Sequence, residues 1–519
     1  GTLYCALVLL MILVFHYGVK NLKKARRLPP GPPRLPVIGN FHQLHLPIHK
    51  TLNHLSQKYG DLMFLQLGSV PAIVVSSSDV VREISKQFDS QFSSRPVLHI
   101  TKKLKHNCLG VAFAPYGDYW KQVRKVVTSE LLSARKVHSF QSLREEEVNR
   151  LVKSIANGDA DGDSCGPVNL TDMFQILSSN MICRAAFGMA FHENSKIQGR
   201  RCDELILELQ KLLSSFCLSD FFPCLGWLNK ATGFDGKLRK ALNELDDLCN
   251  ELLDKHRESD ICENDVQVDD FVDVLLRLQK NSQGSEDAFS DDSIKALIVD
   301  MFAAGTDTTS ATLVWAMAEL ARNPKAMRKA QEEIRRVVKH DEAVKECHLK
   351  ELTYLKQVIN ETLRLHPPAP LLVPRETTED CMVKGFHIPA KTRVFVNAHA
   401  IAVDPKQWDE PHKFQPERFA NKAMDFRGQL EHTPFGFGRR TCPGINFATS
   451  VMELALASVL HHFDWRLPNG TTPETMNMEE AVDVTVHKET PLFLVAKTMN
   501  FGSKKFRENV SQIKSFSFP

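Results

Sequence analysis

The sequence lacks the patterns that indicate a metal cluster, a nucleotide site or a nucleic-acid surface. None of its twelve cysteines stands in a Cys-x-x-Cys pair, and their irregular spacing offers neither a zinc site nor a disulfide framework. No dinucleotide fingerprint or phosphate-binding loop occurs, and no basic run is interleaved with aromatic residues. Together with a formal net charge of only +3, these absences argue against nucleic acid as a partner.

The middle of the chain also lacks a Pro/Gly/Ser-rich linker and any internal repeat. A length of 519 residues alone would predict about three domains. The motifs that serve one candidate site are nevertheless spread from Trp120 to Cys442. We therefore predict one large catalytic domain over residues 37–500, followed by a tail at 501–519 that has no clear periodic pattern and reads as disordered.

Charge is absent from the first 19 residues, which approach the roughly 20 apolar residues of a membrane span. Basic residues follow this apolar stretch, so the positive-inside rule puts the rest of the chain in the cytosol. We predict a transmembrane anchor at 1–19 and a basic, proline-rich hinge at 20–36, with Pro29-Pro30-Gly31-Pro32-Pro33 as its stiff part. A cleaved signal peptide is the alternative, but it would carry its positive charge before the apolar stretch.

Apolar residues recur at helical spacing through much of the chain, and β-rich runs are short. The helical pattern is found at 144–155, 202–218, 238–256, 293–322, 354–365 and 445–462. The β-rich runs are 62–67, 72–75, 393–396 and 491–495. The predicted fold class is mainly α with small β-sheets.

One segment near the carboxyl end, Phe435-Gly436-Phe437-Gly438-Arg439-Arg440-Thr441-Cys442-Pro443-Gly444, surrounds a single cysteine with glycines and arginines. Glycine lets backbone N–H groups approach a sulfur ligand, and a guanidinium suits a carboxylate such as a haem propionate. A buried cysteine in a Gly-rich turn is the simpler alternative. The ordered set Phe-x-x-Gly-x-Arg-x-Cys-x-Gly favours a thiolate that binds haem iron.

On these residues the chain resembles the cytochrome P-450 family of haem-thiolate monooxygenases, in particular the plant microsomal type, from about Pro29 to about Lys497. The resemblance implies haem b as cofactor, Cys442 as the iron ligand and Phe435 as part of the haem-binding loop. It also implies a single-pass protein of the endoplasmic reticulum membrane, in contact with membrane lipid, whose catalytic domain faces the cytosol.

The helix predicted at 293–322 contains Ala303-Ala304-Gly305-Thr306-Asp307-Thr308-Thr309, in which Gly, β-branched residues and an acid interrupt a helix interior. A bond from Thr308 to the Ala304 carbonyl would open the helix locally and leave room for a small ligand and a water. A seam for helix packing is the alternative. In the matching family motif the acid and alcohol relay protons to dioxygen, which we assign to Asp307 and Thr308.

Four basic or ring N–H donors are candidates for contact with the haem. Trp120 and Arg124 share a face of one predicted helix, Arg375 matches another propionate contact of the family, and Arg440 lies in the cysteine loop. A separate set, Glu361, Arg364 and Arg418, matches the family's buried Glu-Arg-Arg network; alone, such charge pairs are common on exposed helices. We assign this second set a structural role.

The resemblance implies that the chain inserts one oxygen atom from dioxygen into an apolar small molecule, a plant specialised metabolite such as a terpenoid, phenolic or alkaloid. Since the chain has no dinucleotide site, NADPH would act through a separate flavoprotein reductase, which we expect to dock near Lys121, Lys125 and Arg439. Two alternatives stay open: a haem-thiolate hydroperoxide isomerase or dehydratase, and a membrane-anchored haem-binding sensor without catalysis.

The substrate itself is not indicated by any motif. Family resemblance places pocket walls in parts of 95–111, 205–228, 371–373 and 481–485. Asp483 departs from the family pattern in the last of these segments, and it either meets a polar substrate group or faces solvent.

Overall fold

The structure is a computed structural model that describes residues 28–103, 109–157, 166–188, 196–197, 200–201, 211, 217–259, 269–281, 289–339, 343–421, 426, 428–481 and 485–499. The predicted anchor at 1–19, residues 20–27 of the hinge and the tail at 501–519 lie outside the described residues. So do Asp483 and most of the predicted helix at 202–218.

Helices account for most of the described chain. They are α1 Ile48–Tyr59, α2 Ser78–Gln87, α3 His99–Lys103, α4 Asp118–Val126, α5 Ala134–Ser139, α6 Gln141–Asn157, α7 Leu170–Phe187, α8 Leu228–Ala231, α9 Phe234–Ser259, α10 Phe271–Asn281, α11 Asp291–Arg322, α12 Pro324–Val338, α13 Thr353–Leu365, α14 Ala398–Ala402 and α15 Ile445–His462. Within the described residues, none of these helices is both long and apolar enough to span a bilayer.

The strands are short, as predicted. They are β1 Leu62–Leu67, β2 Val70–Val75, β3 Val168–Asn169, β4 Lys196–Ile197, β5 Arg200–Arg201, β6 Arg375–Glu376, β7 Cys381–Val383, β8 Phe386–Ile388, β9 Arg393–Val396, β10 Phe463–Arg466 and β11 Phe493–Thr498. The largest described sheet has the order β1-β2-β9-β6, in which β9 runs parallel to β2 with Ala72 opposite Arg393. A second sheet has the order β10-β11-β3. The run predicted at 491–495 therefore occurs as a strand that begins two residues later.

The long helix α11 is the centre of the helical core. Its start is capped by the Ser290 hydroxyl, which accepts the Ser293 N–H at 3.1 Å, and Asp291 and Asp292 lie in the first turn where the helix dipole favours acids. It packs against α7, and it also contacts α15, which begins just after the cysteine loop. The fold thereby brings the two motif-bearing segments of the sequence against each other.

Gly305 determines how closely α11 and α7 approach. A Cβ built on Gly305 would lie 2.5 Å from Ile182 Cδ1. The glycine therefore faces the neighbouring helix, and this part of the motif is indeed a packing seam. The helix is continuous from Asp291 to Arg322, so the local opening predicted near Thr308 does not interrupt it.

Candidate haem-thiolate site

The cysteine loop is a tight backbone structure that leads into α15. Gly436 and Gly438 have φ values of +74° and +64°, in the left-handed region that glycine adopts without strain. The Cys442 N–H donates to the Phe435 carbonyl at 2.8 Å and closes the loop. The predicted loop residues thus form one cradle with the sulfur at its end.

The sulfur of Cys442 has a polar surrounding from its own loop and from α4. The pKa of the thiol is raised because burial disfavours the thiolate, while a backbone N–H donated by Gly444 and the charge of Arg124 act in the opposite direction. Arg124 donates Nη2 to the Thr441 carbonyl at 2.5 Å, which fixes α4 to the loop one residue before the cysteine. These are the donors that a thiolate ligand needs.

Arg440 and Trp120 form a second contact between loop and α4. The Arg440 guanidinium lies 4.1 Å from the centre of the Trp120 ring, and Arg440 Nη1 and Trp120 Nε1 donate to the same Val111 carbonyl at 3.2 and 3.0 Å. Arg440 also donates to the carbonyls of Ser93 and Ala114, at 2.7 and 2.6 Å. In this structure both side chains use their donors on backbone, and their contact with a cofactor stays a prediction.

Arg375 lies beside this cluster and has an unused donor. It donates Nη2 to the Phe437 carbonyl at 2.7 Å and stacks on the Phe437 ring at 4.1 Å, but its buried Nη1 has no hydrogen-bond partner. Burial lowers the pKa of Arg375 to about 10, although Asp89 acts against this. A buried guanidinium N–H without an acceptor is costly unless a ligand supplies one.

Arg95 completes the cationic cluster, whereas the sequence predicts it only at the start of a pocket wall. It is buried and donates to the carbonyls of Ala112 and Pro374, at 3.0 and 2.9 Å. Its pKa is lowered by burial and by the positive charges of Arg440 and Arg375. Burial likewise lowers the pKa of Arg440 to about 9, with the charges of Arg375 and Arg124 contributing. Three buried cations that repel one another fit a site for the two carboxylates of a haem.

Two acidic residues near the loops were also missed. The Asp89 carboxylate accepts from Arg439, with its Oδ2 at 3.2 Å from the backbone N and 3.0 Å from Nη1. On α11, Asp300 accepts the Ala112 N–H at 2.9 Å, and burial raises the pKa of Asp300 to about 6 despite bonds from the backbone of Ala112 and Val111. Neither acid stands in a recognisable motif, so only the tertiary structure identifies them.

The acid and alcohol of α11 differ in their surroundings. Thr308 donates its hydroxyl to the Ala304 carbonyl at 2.8 Å, which is the bond predicted from the sequence. Ala304 is exposed and Thr308 partly exposed within an otherwise buried stretch of helix, so this face borders open space. Asp307 is buried, and its Oδ1 lies 2.9 Å from Nε2 of His487.

The predicted structural network is confirmed. Glu361 and Arg364 are fully buried and form a bidentate salt bridge, in which Arg364 Nε and Nη2 donate to Glu361 Oε2 and Oε1 at 2.7 and 2.8 Å. Arg418 Nε also donates to Glu361 Oε1, at 3.0 Å. Arg364 also donates to the Ala402 and Pro411 carbonyls. The network therefore ties α13 to the segment that precedes the cysteine loop.

A cleft of about 660 Å³ opens on the outer side of the cysteine loop. Arg124, Gly438, Cys442 and Asn446 are among its lining residues, whereas Asp307 and Thr308 are not. Of the predicted pocket walls, 371–373 is described, with Val373 exposed; 104–108, 205–210, 212–216 and 482–484 lie outside the described residues.

The sequence is similar to known proteins over nearly its whole length. The profile of the cytochrome P450 family matches residues 29–495. Cytochrome P450 71A9 of Glycine max is 48% identical over 95% of this chain and 97% of its own. Strychnine-11-hydroxylase of Strychnos nux-vomica is 47% identical over 91% and 92%, and premnaspirodiene oxygenase of Hyoscyamus muticus is 44% identical over 91% and 93%. The chain therefore belongs to the cytochrome P450 family of haem b monooxygenases, which oxidise a small molecule with dioxygen and receive electrons from a redox partner reductase.

Proposed function

We propose that this protein hydroxylates or otherwise oxygenates an apolar plant specialised metabolite at a haem held by Cys442. The observation that carries the proposal is the cysteine cradle beside a buried cluster of Arg95, Arg375 and Arg440, with Arg375 Nη1 lacking an acceptor. A haem propionate supplies the missing acceptor, and Arg124 is bonded to the same loop and contributes further donors. The Trp120 N–H contributes only by leaving the Val111 carbonyl for a propionate.

When bound, the haem supplies the redox chemistry that transfers one atom of dioxygen to the substrate and leaves the other to be released as water. Cys442 contributes the sulfur ligand, and the Gly444 N–H and Arg124 stabilise negative charge on it. Asp307 and Thr308 hold and transfer the protons that the reaction consumes. The bond from the Thr308 hydroxyl to Ala304 fixes the position of that oxygen at the open face of α11.

The substrate class that we favour is a terpenoid or an alkaloid. Two relatives carry names that specify such compounds, a strychnine hydroxylase and a premnaspirodiene oxygenase. We assign an apolar part of the substrate pocket to Leu371, Leu372 and Val373, which lie just before Arg375 and of which Val373 is exposed; such a wall suits a hydrocarbon skeleton.

The reductase is proposed to dock on the outer side of the cysteine loop. Lys121, Lys125 and Arg439 are exposed there, and Lys121 and Arg439 flank the Tyr116 ring at 5.5 and 6.0 Å. Reversal of the charges of Lys121 and Lys125 should slow reduction without changing the haem spectrum, whereas Arg439 is paired with Asp89 beside the cysteine loop and is left unchanged in this test.

We further propose that the chain is anchored in the endoplasmic reticulum membrane by residues 1–19 and faces the cytosol. An apolar surface supports this arrangement: Leu35, Val37, Leu46 and Trp227 are 48%, 69%, 64% and 63% exposed. The two segments that bear them meet through Phe41 and Phe221, whose rings are 5.0 Å apart. Binding of a chain that begins at residue 28 to phospholipid vesicles tests this surface separately from the anchor, and loss of binding in a Trp227→Ser variant is the expected result.

The deciding experiment compares wild-type protein with Cys442→Ser. Wild-type protein should show the reduced carbon-monoxide spectrum of a thiolate ligand and, with reductase and NADPH, oxidise at least one of premnaspirodiene, strychnine and 7-ethoxycoumarin. Cys442→Ser should lose both.

Turnover of a fatty-acid hydroperoxide without reductase would instead identify the isomerase alternative, and haem binding with no NADPH-dependent turnover would identify the sensor. An unchanged spectrum in Cys442→Ser contradicts the proposal.

A further inference from the structure

Asp307 has a partner that no sequence motif indicated. Its Oδ1 lies 2.9 Å from Nε2 of His487, and their side chains are 11% and 30% exposed. Within the described residues, His487 is the ion-pair partner of Asp307. The pair therefore joins a buried acid on α11 to an imidazole that reaches solvent.

His487 is held in place by backbone contacts on both sides. The Val486 N–H donates to the Pro368 carbonyl at 2.9 Å, and the Val486 carbonyl accepts the Trp315 ring N–H of α11 at 3.0 Å. The His487 carbonyl accepts the Ala481 N–H at 2.8 Å. The segment is thus fixed against the same helix that carries Asp307, so the contact does not depend on a free loop.

The chemistry of the two groups suits proton transfer. An acid that gives up a proton in every reaction cycle must recover one from solvent, and Asp307 has little direct access to it. Histidine is the side chain whose ordinary pKa lies nearest to neutrality, so it can both take and give a proton. The neighbouring cation, Lys488, donates its Nζ to Thr490 Oγ1 at 2.6 Å, and His487 is the one that contacts the acid.

We infer that His487 is the residue through which Asp307 recovers protons from solvent. The N–H bond at Nε2 breaks and an O–H bond forms at Asp307 Oδ1, so that imidazolium and carboxylate become imidazole and carboxylic acid. The neutral ring then takes a proton from water. His487 acts through Asp307 and is a positioning and relay residue, and the inference rests on the proposed role of Asp307.

The test compares His487→Gln with His487→Phe. Glutamine still offers Asp307 an N–H donor but cannot carry a transferable proton, whereas phenylalanine removes both functions. The matched control is His387→Gln, because His387 also pairs with an acid, Asp380, at 3.0 Å, is 32% exposed, and belongs to none of the motifs assigned to the site. The assay uses reductase, NADPH and the compound among premnaspirodiene, strychnine and 7-ethoxycoumarin that wild-type protein oxidises.

Both His487 variants should form about tenfold less product per NADPH. This effect is smaller than the roughly 10²- to 10⁴-fold contribution of a general acid, because water can partly replace the ring as proton donor. The missing electrons should appear as hydrogen peroxide, and the ratio of rates in H₂O and D₂O should rise. His387→Gln should change neither quantity. The relay would be overturned if His487→Gln formed as much product per NADPH as wild-type protein and only His487→Phe formed less. A hydrogen bond to Asp307 would then suffice without proton transfer.

A second measurement does not depend on turnover. Melting temperatures of Asp307→Ala, His487→Phe and the double variant should be non-additive, because each of these substitutions removes the contact between the two side chains. Additive shifts would contradict the contact itself. Absence of any NADPH-dependent turnover in wild-type protein would count against the proposed function, whereas normal wild-type turnover with unaffected variants would count against the relay alone.

Discussion

Asp89 and Gly438 are in contact in a way that leaves no room for a Cβ at position 438 unless the Asp89 carboxylate moves. A Cβ built on Gly438 would lie 2.1 Å from Asp89 Oδ1, and the Gly438 backbone has a φ of +64°. The Asp89 carboxylate, which accepts hydrogen bonds from Arg439, therefore also fills the space beside Gly438 of the cysteine loop. The loop and the segment at 89–95 form one structural unit.

Gly438→Ala should consequently destabilise the protein and reduce haem incorporation. The left-handed backbone alone costs about 1–2 kcal/mol for a residue with a Cβ, and the clash with Asp89 adds to this. The control is Gly470→Ala, with a φ of +87° and no atom within 4 Å of the built Cβ, which isolates the backbone term. Thermal unfolding and the haem spectrum measure both effects, and equal shifts in the two variants would contradict the clash.

Gly305→Ala should couple energetically to Ile182. Overpacking a core typically costs about 1–3 kcal/mol, and Ile182→Ala should relieve the clash, so the double variant should be less destabilised than the sum of the single ones. Gly236→Ala, in the first turn of α9 with open space around the built Cβ, should instead be neutral or stabilising. Additivity of the melting-temperature shifts at 305 and 182 would contradict a clash between the two side chains.

Glu361→Ala should leave two arginines without their buried partner. Removal of one member of a buried ion pair costs about 3–5 kcal/mol, and chemical unfolding measures this loss. Lys255→Ala is the control, because it breaks an exposed pair with Glu251 whose N–O distance of 2.7 Å resembles the buried one. Such exposed helix pairs contribute about 0.3–0.5 kcal/mol. Similar losses for the two variants would contradict a structural role of the network.

The pair of His256 and Asp270 should make stability depend on pH. Burial would lower the pKa of His256, but the bond to Asp270 at 2.8 Å, the Asp270 charge and the Leu252 carbonyl outweigh it and raise the pKa from 6.5 to about 9. A raised folded-state pKa contributes stability that is complete below pH 6.5 and is lost as pH rises through about 9.

Asp270→Asn should therefore lower the melting temperature most near pH 6, and its difference from wild-type protein should shrink towards pH 10. Melting curves at intervals of one pH unit measure this difference. A difference that stays constant across the range would contradict the raised pKa of His256.

The sequence predicted those parts of the site that lie in one continuous segment. The cysteine loop and the Thr308 bond to Ala304 follow from local motifs, and the helix at 445–462 has the predicted bounds because its apolar period is unbroken. Asp89 and His487 were not assigned, and Arg95 was predicted only as the start of a pocket wall, since each reaches the site from a distant segment. Their roles depend on tertiary contacts with Gly438, the arginine cluster and Asp307, which no local pattern encodes.

The sheet order has a consequence for the order of events during synthesis. Strand β2 finds its parallel partner β9 more than three hundred residues later, and β3 pairs with β11, the final described strand. Local helices can form as the chain emerges from the ribosome, but these pairings can form only after the distant partner strands β9 and β11 have been synthesised. A nascent chain therefore leaves the edge of β2 that faces β9, and the edge of β3 that faces β11, unpaired until those later strands emerge, so these long-range pairings are late steps of its folding.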